Sequence, residues 1–122
     1  MKRYAAHYVL LFPDRILKRH YIELDDNSRL VKIAPLVEEI EETGFYNGIL
    51  FPSTEEKISM KILTDLRMAG NFMSVANILF KSGIIASEHT DNVFIYYLDG
   101  ISLSASELRT GNGCSYCNIQ RL

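Results

Sequence analysis

The sequence predicts an α+β domain that is mainly β, with strands in both end regions of the chain and a helical segment between them. Residues 3–52 carry runs of Tyr, Val, Ile, Leu and Phe separated by turn-forming residues, which is typical of strands. Residues 53–83 repeat apolar side chains at helical spacing, and residues 93–121 return to strand patterns. No internal repeat or linker divides the 122 residues, so a single domain over residues 1–122 is expected.

Four strands are predicted in the first part of the chain. They are residues 3–12, 15–24, 29–33 and 47–51. Pro13 and Asp14 end the first strand, and Pro52 closes the fourth. The turn tetrad Asp25–Ser28 joins the second and third strands into a hairpin, because Asp, Asn and Ser side chains bond their own backbone.

The middle of the chain is predicted to be helical. Ser53 precedes Glu56 by three residues, which is the capping-box spacing, and apolar residues follow at intervals of three and four. Gly70 interrupts this pattern and Gly83 is placed to end it, so we expect two helices or one helix kinked at Gly70. Met60, Met68 and Met73 in this segment are interpreted as core filling in preference to an adaptable binding face.

Strands are predicted again for residues 93–98 and 101–104, with a turn at Asp99–Gly100, and for residues 115–122. The apolar residues of the predicted strands and helices then give the side chains that we expect to form the core. They are Val9, Leu11, Ile22, Leu24, Leu30, Ile33, Ile49, Leu63, Leu66, Ile78, Leu79, Phe94 and Tyr96.

The hairpin sequence Arg15–Ile33 resembles the first hairpin of amidohydrolase-superfamily enzymes, in the cytosine deaminase and chlorohydrolase branch. In that family a strand ends in an acidic turn and the next begins with Gly-Arg-Ile or a variant, and Ser28-Arg29-Leu30 stands in that place here. Phe45–Pro52 resembles the family's strand that leads into the catalytic barrel, and residues 96–103 loosely resemble its closing strands. The resemblance implies a composite β-sandwich, or a partial barrel, built from residues 3–52 and 93–121 with an inserted helical segment.

The same resemblance implies that the catalytic barrel is absent. In the family the strand runs into Gly-Phe-x-x-x-His-x-His, whose histidines bind metal, whereas Ser53-Thr54-Glu55-Glu56 follows here. A barrel of roughly 250 residues does not fit between Pro52 and Val93. No catalytic residue, cofactor site or metal ligand of the family carries over, so we expect no amidohydrolase or deaminase turnover, even with added zinc, iron or manganese.

Other candidate motifs favour ordinary structural roles. His7, His20 and His89 are isolated from one another, although the first two lie on neighbouring predicted strands. The acidic run Glu38–Glu42 is interpreted as a solvated surface. Cys114 and Cys117 form one Cys-x-x-Cys, which is half of a zinc site; a symmetric dimer or His89 would have to complete it, and two ordinary thiols are the favoured interpretation.

Composition excludes several classes of partner. The formal net charge of −2 provides no basic surface for nucleic acid. Apolar runs such as Tyr8–Phe12 are too short to cross a bilayer, and no signal peptide is evident. Two cysteines without an export signal favour a cytoplasmic location.

We therefore expect a non-catalytic, stand-alone relative of the amidohydrolase β-sandwich that acts by protein association, as a homodimer or with another protein chain. A helical segment with apolar residues on more than one face favours the dimer. Two alternatives stay open: an accessory subunit of a metal-dependent hydrolase whose barrel is a separate chain, and a small zinc- or thiol-dependent protein that uses Cys114 and Cys117.

Overall fold

The computed structural model describes residues 2–37, 43–69, 71–100 and 118–122. Within these ranges the chain forms six strands and two helices. They are β1 (Lys2–Leu11), β2 (Arg15–Leu24), β3 (Leu30–Pro35), β4 (Thr43–Ser53), α1 (Met60–Arg67), α2 (Phe72–Ser82), β5 (Phe94–Asp99) and β6 (Asn118–Arg121). The α+β, mainly β class predicted from the sequence is confirmed.

The strands form one mixed sheet in the order β3-β2-β1-β4-β5-β6. Strand β1 lies near its centre, antiparallel to β2 and parallel to β4, and β5 is antiparallel to both β4 and β6. Because Ile49 of β4 pairs with Leu98 of β5, the second β region joins the sheet of the first, as predicted. All strands of the described residues belong to this sheet, and the two-layered sandwich stays a prediction.

Hydrogen bonds between distant segments curl this sheet. The backbone N–H of Leu30 donates to the carbonyl of Thr90 at 3.0 Å, and the N–H of His89 donates to the carbonyl of Leu30 at 3.1 Å. A third bond joins the N–H of Val93 to the carbonyl of Ser28 at 3.0 Å. The edge strand β3 therefore meets the segment that leads into β5, and the inner face of the sheet becomes concave.

Both faces of the sheet are buried. Along β4, Ile49 and Phe51 point to the side covered by the helices, whereas Leu50 points to the concave side, as strand alternation requires. The helix-side core also contains Leu10, Leu66, Phe72, Val75, Leu79, Tyr96 and Leu98. The concave-side core contains Ala6, Val9, Leu11, Ile22, Leu24, Leu30, Val93 and Ile95.

Most of the side chains predicted to form the core are buried. The exceptions are half-buried: Ile33, Ile78 and Phe94 pack at the margins of the two cores, and Leu63 is half-buried on α1. Outside the described residues lie the predicted strand 101–104 and the first part of the predicted strand 115–122, whose later part is β6.

The predicted start of the helical segment is wrong. Strand β4 continues through Ser53, which is fully buried, and the Ser53 hydroxyl accepts a hydrogen bond from the N–H of Glu55 at 3.0 Å. The helix α1 begins at Met60, where the hydroxyl of Ser59 caps it by accepting from the N–H of Ile62 at 3.3 Å. Residues 53–59 are therefore not helical.

The predicted end of the helical segment is confirmed at Gly83. This residue follows α2 in the left-handed conformation, with φ of 76°, and its N–H donates to the carbonyl of Phe80 at 3.3 Å. A left-handed backbone conformation is strained for residues that carry a Cβ atom.

The substitution Gly83→Ala is expected to lower the free energy of unfolding by about 1 kcal/mol, measured by urea denaturation. A Cβ atom at this position meets no atom within 4 Å, so the loss would come from the backbone and not from a clash. Gly83→Asn should lose less, because Asn tolerates this conformation. Equal stability of the alanine variant and the parent would contradict the left-handed assignment.

Candidate functional site

The three histidines have separate surroundings. The ring of His7 lies edge-on to Phe45, with 5.2 Å between ring centroids. The Nδ1 atom of His20 is 2.9 Å from the carbonyl of Lys18, and His89 lies in a loop with its backbone bonded to Leu30. Within the described ranges, no three His, Cys, Asp or Glu side chains lie together where they could hold a metal ion.

The acidic turn has the structural role expected from the sequence. One oxygen of the Asp25 carboxylate accepts hydrogen bonds from the N–H groups of Asn27 and Arg29, at 2.9 and 3.0 Å. The carboxylate thus holds the β2–β3 hairpin together. Cys114, Cys117 and the acidic run 38–42 lie outside the described residues.

Three tyrosines line up on the concave side of the sheet. The ring of Tyr46 is 6.2 Å from Tyr4 and 5.1 Å from Tyr97, measured between centroids. Burial, and to a lesser extent Tyr46, raises the pKa of Tyr4; burial, followed by Asp99 and Tyr46, raises the pKa of Tyr97. Both phenols therefore stay protonated at neutral pH and can donate hydrogen bonds.

A cleft of about 380 Å³ opens at the concave side, where β1 and β5 begin and β2 ends. Its floor is apolar, formed by Leu24, Val93 and Ile95. The rim carries the carboxylates of Asp25 and Asp26 and the cations of Lys2 and Arg121. Because Asp25 already binds the hairpin turn, part of this polar rim serves the fold.

The helix α1 exposes large apolar side chains. Only Leu66 of this helix is fully buried, whereas Met60 is 69% exposed and Met68, which caps the helix, is 80% exposed. At 3.6 residues per turn, both methionines fall on the side away from Leu66. Met73 of α2 is 37% exposed, and we refer to the exposed side chains of these three methionines as the methionine surface. The core-filling interpretation of these methionines is therefore wrong.

A groove of about 450 Å³ lies between the start of α1 and strand β6. Its lining residues are Glu56, Lys57, Ile58, Met60, Leu63, Tyr96, Ile119 and Arg121. The Tyr96 hydroxyl donates to the carbonyl of Glu55 at 2.6 Å. Burial raises the pKa of Tyr96 although Arg121 opposes that shift, so the phenol is neutral at neutral pH.

Arg121 is the polar feature of this groove that sequence reasoning missed. Its Nη1 atom donates to the carbonyl of Glu56 at 3.1 Å, and its guanidinium carbon is 5.0 Å from the centroid of the Phe94 ring. From the sequence, only the spacing of Arg121 and Ile119 was informative: residues two apart in a strand lie on the same face of the sheet.

Comparisons of this chain with models of protein families, with curated proteins and with solved structures found no match. In the described residues, neither helix has the length and apolar character needed to cross a membrane.

Proposed function

We propose that this protein acts by binding another protein chain through the methionine surface, and that a second copy of itself is the partner. The observation that carries this proposal is the exposure of Met60 and Met68 on the outer side of α1. Methionine side chains are apolar and flexible, so they adapt to the shape of a partner.

Packing energetics favour covering this surface. A two-fold dimer places the same patch of both copies in contact, so one apolar helix face suffices for both. At about 25 cal/mol per Å², burial of about 800 Å² of apolar surface gives a gross stabilisation of about 20 kcal/mol. The loss of translational and rotational freedom offsets a large part of that gain.

Association should be visible by light scattering at micromolar concentration, as a mass of about twice the 13.9 kDa of one chain. Met68→Lys is expected to shift the protein towards the monomer, because it places a charge on the methionine surface. The substitution should not disturb α1 itself, because a cation is tolerated at the C-terminal end of a helix. Val37→Lys is the matched control, since Val37 is 87% exposed and follows β3, away from α1.

Two results would contradict the homodimer. One is the mass of a single chain at every concentration of the parent protein. The other is an equal effect of the lysine substitutions at residues 37 and 68. A monomeric parent that is retained by a hydrolase chain encoded beside it would instead support the accessory-subunit alternative.

We further propose that the strand framework is related to the composite β-sandwich of the amidohydrolase superfamily. The β2–β3 hairpin around Asp25 and the adjacent positions of β4 and β5 support this proposal. We also propose a cytoplasmic location, which the low cysteine content favours. The two proposals are separate, and only the relationship to the sandwich is tested by a structure. An experimental structure tests it: a second sheet packed on the first would support the sandwich, and a single curled sheet over all 122 residues would overturn it.

A further inference from the structure

We propose that the groove between α1 and β6 binds a carboxylate that carries an aliphatic chain, a medium-chain alkanoate, with the carboxylate on Arg121 and the chain on Ile58, Leu63 and Ile119. The groove shares Met60 with the methionine surface, but the residues proposed to hold the ligand, Arg121, Ile58, Leu63 and Ile119, all belong to one chain. A volume of about 450 Å³ falls in the range of small-ligand sites.

Arg121 is held in place and retains unused donors. The Phe94 ring supports its guanidinium group at 5.0 Å, and its bond to the carbonyl of Glu56 uses one N–H. A guanidinium group carries five N–H donors in a planar fork that matches a carboxylate. Arg3, Arg15 and Arg29 are paired with carboxylates, whereas no carboxylate of the described residues lies within 4.0 Å of Arg121.

Cations outnumber carboxylates among the lining residues of the groove, although Glu55 outside the lining also acts on Tyr96. Lys57 and Arg121 are cations, and Glu56 is the one carboxylate among the lining residues. Tyr96 adds no charge at neutral pH, because burial raises its pKa. The Arg121 end of the groove therefore attracts an anion. Arg121 also borders the concave cleft, but there the carboxylates of Asp25 and Asp26 stand on the same rim.

The rest of the groove suits an aliphatic chain. Ile58, Leu63 and Ile119 are half-buried, and Ile58 and Ile119 pack against the helix-side core. The flexible side chain of Met60 lies beside them and can close over a bound chain. The two walls are tied together, because Nη2 of Arg67 donates to Oδ1 of Asn118 at 2.8 Å and so joins the end of α1 to β6.

A second groove, between α1 and α2, provides a comparison within the same molecule. It measures about 420 Å³ and is lined by Lys61, Ile62, Asp65, Ile78, Lys81 and Ser82. Its cations are flexible, well-hydrated lysines, whereas Arg121, although also exposed, is supported by Phe94 and bonded to Glu56. Binding a carboxylate at the lysines would therefore order their side chains at a larger entropic cost. Lys81 therefore serves as the control position.

The test is a titration of the purified full chain with octanoate, followed by amide chemical shifts in NMR spectra and by calorimetry. Saturable shifts are expected around residues 58–63 and 119–121. Acetate has the charge without the chain, and 1-octanol has the chain without the charge; both should bind at least about tenfold more weakly than octanoate.

Variants assign the carboxylate contact. Arg121→Gln should weaken octanoate binding by about tenfold or more, whereas Lys81→Gln should leave it unchanged. The proposal is overturned if 1-octanol binds as tightly as octanoate, if Arg121→Gln binds like the parent, or if the Lys81 variant shows the larger loss. Should Arg121→Gln fail to fold, the comparison of the three ligands on the parent protein still decides the question.

Discussion

Phe51→Ala is expected to lower the free energy of unfolding by about 3–5 kcal/mol, a large part of the total stability of an ordinary domain. Phe51 is fully buried in the middle of the helix-side core, and its ring stacks on Tyr96 with 5.6 Å between centroids. Truncation would remove this stacking and leave a cavity between β4 and the helices, which close packing does not allow to collapse completely.

The matched control is Phe45→Ala on the same strand. Phe45 is 47% exposed and contacts His7 and Arg19 at the surface, so its truncation should cost less than about 1 kcal/mol. Urea denaturation of both variants measures the difference. Similar losses at residues 45 and 51 would show that the helices do not pack on β4 as described.

Gly48→Ala is expected to cost about 1–3 kcal/mol by overpacking the contact between β4 and β5. A Cβ atom at residue 48 would lie 2.6 Å from the carbonyl oxygen of Leu98 and 2.6 Å from Cε1 of Tyr97. The Tyr97 ring could rotate away, but the Leu98 carbonyl belongs to the backbone that pairs with Ile49. The two strands would have to separate to admit one methyl group.

Gly44 provides the comparison for this prediction. It lies in the same strand, and the three atoms nearest to a Cβ atom there all belong to the side chain of Tyr46, the closest at 3.2 Å. Gly44→Ala should therefore be nearly neutral, or slightly stabilising because alanine loses less backbone entropy than glycine. Thermal unfolding of both variants tests the pair, and equal melting temperatures would argue against the close β4–β5 contact at Gly48.

The bounds of an element can be predicted from the sequence where residues with strong turn or cap preferences stand at its ends. Strand β2 has the predicted bounds of residues 15 and 24, because Pro13–Asp14 and the Asp25 turn limit it on both sides. The Gly83 cap follows from the same kind of chemistry. The parallel pairing of β1 with β4 joins Arg3 to Thr43, and no local pattern specifies such a distant contact.

The error at Ser53 has a physical cause. A serine hydroxyl accepts from a nearby N–H both in a turn and at a helix start, so the sequence pattern is compatible with either. In the structure Ser53 is buried and pairs with Phe94 of β5, so it belongs to strand β4 and not to a helix. The exposure of Met60 and Met68 depends on how α1 packs on the sheet, which the apolar spacing of the sequence does not specify.

The groove could not be found from the sequence because three remote segments build it. Its residues come from the region before and within α1, from β5 and from β6. Only the folded sheet places Arg121 beside Phe94 and the carbonyl of Glu56. A single arginine in a short strand carries no recognisable motif of its own.

The hydrogen bonds between β3 and residues 89–93 also reduce the tendency of the sheet edge to aggregate. An edge strand exposes backbone N–H and carbonyl groups that can pair with another chain and seed aggregates. At Leu30 both groups are already occupied, by Thr90 and His89. The rest of β3 carries Lys32 and ends at Pro35, two residues that discourage pairing at an edge. The segment 89–93 thus restricts strand-to-strand growth at this side of the sheet.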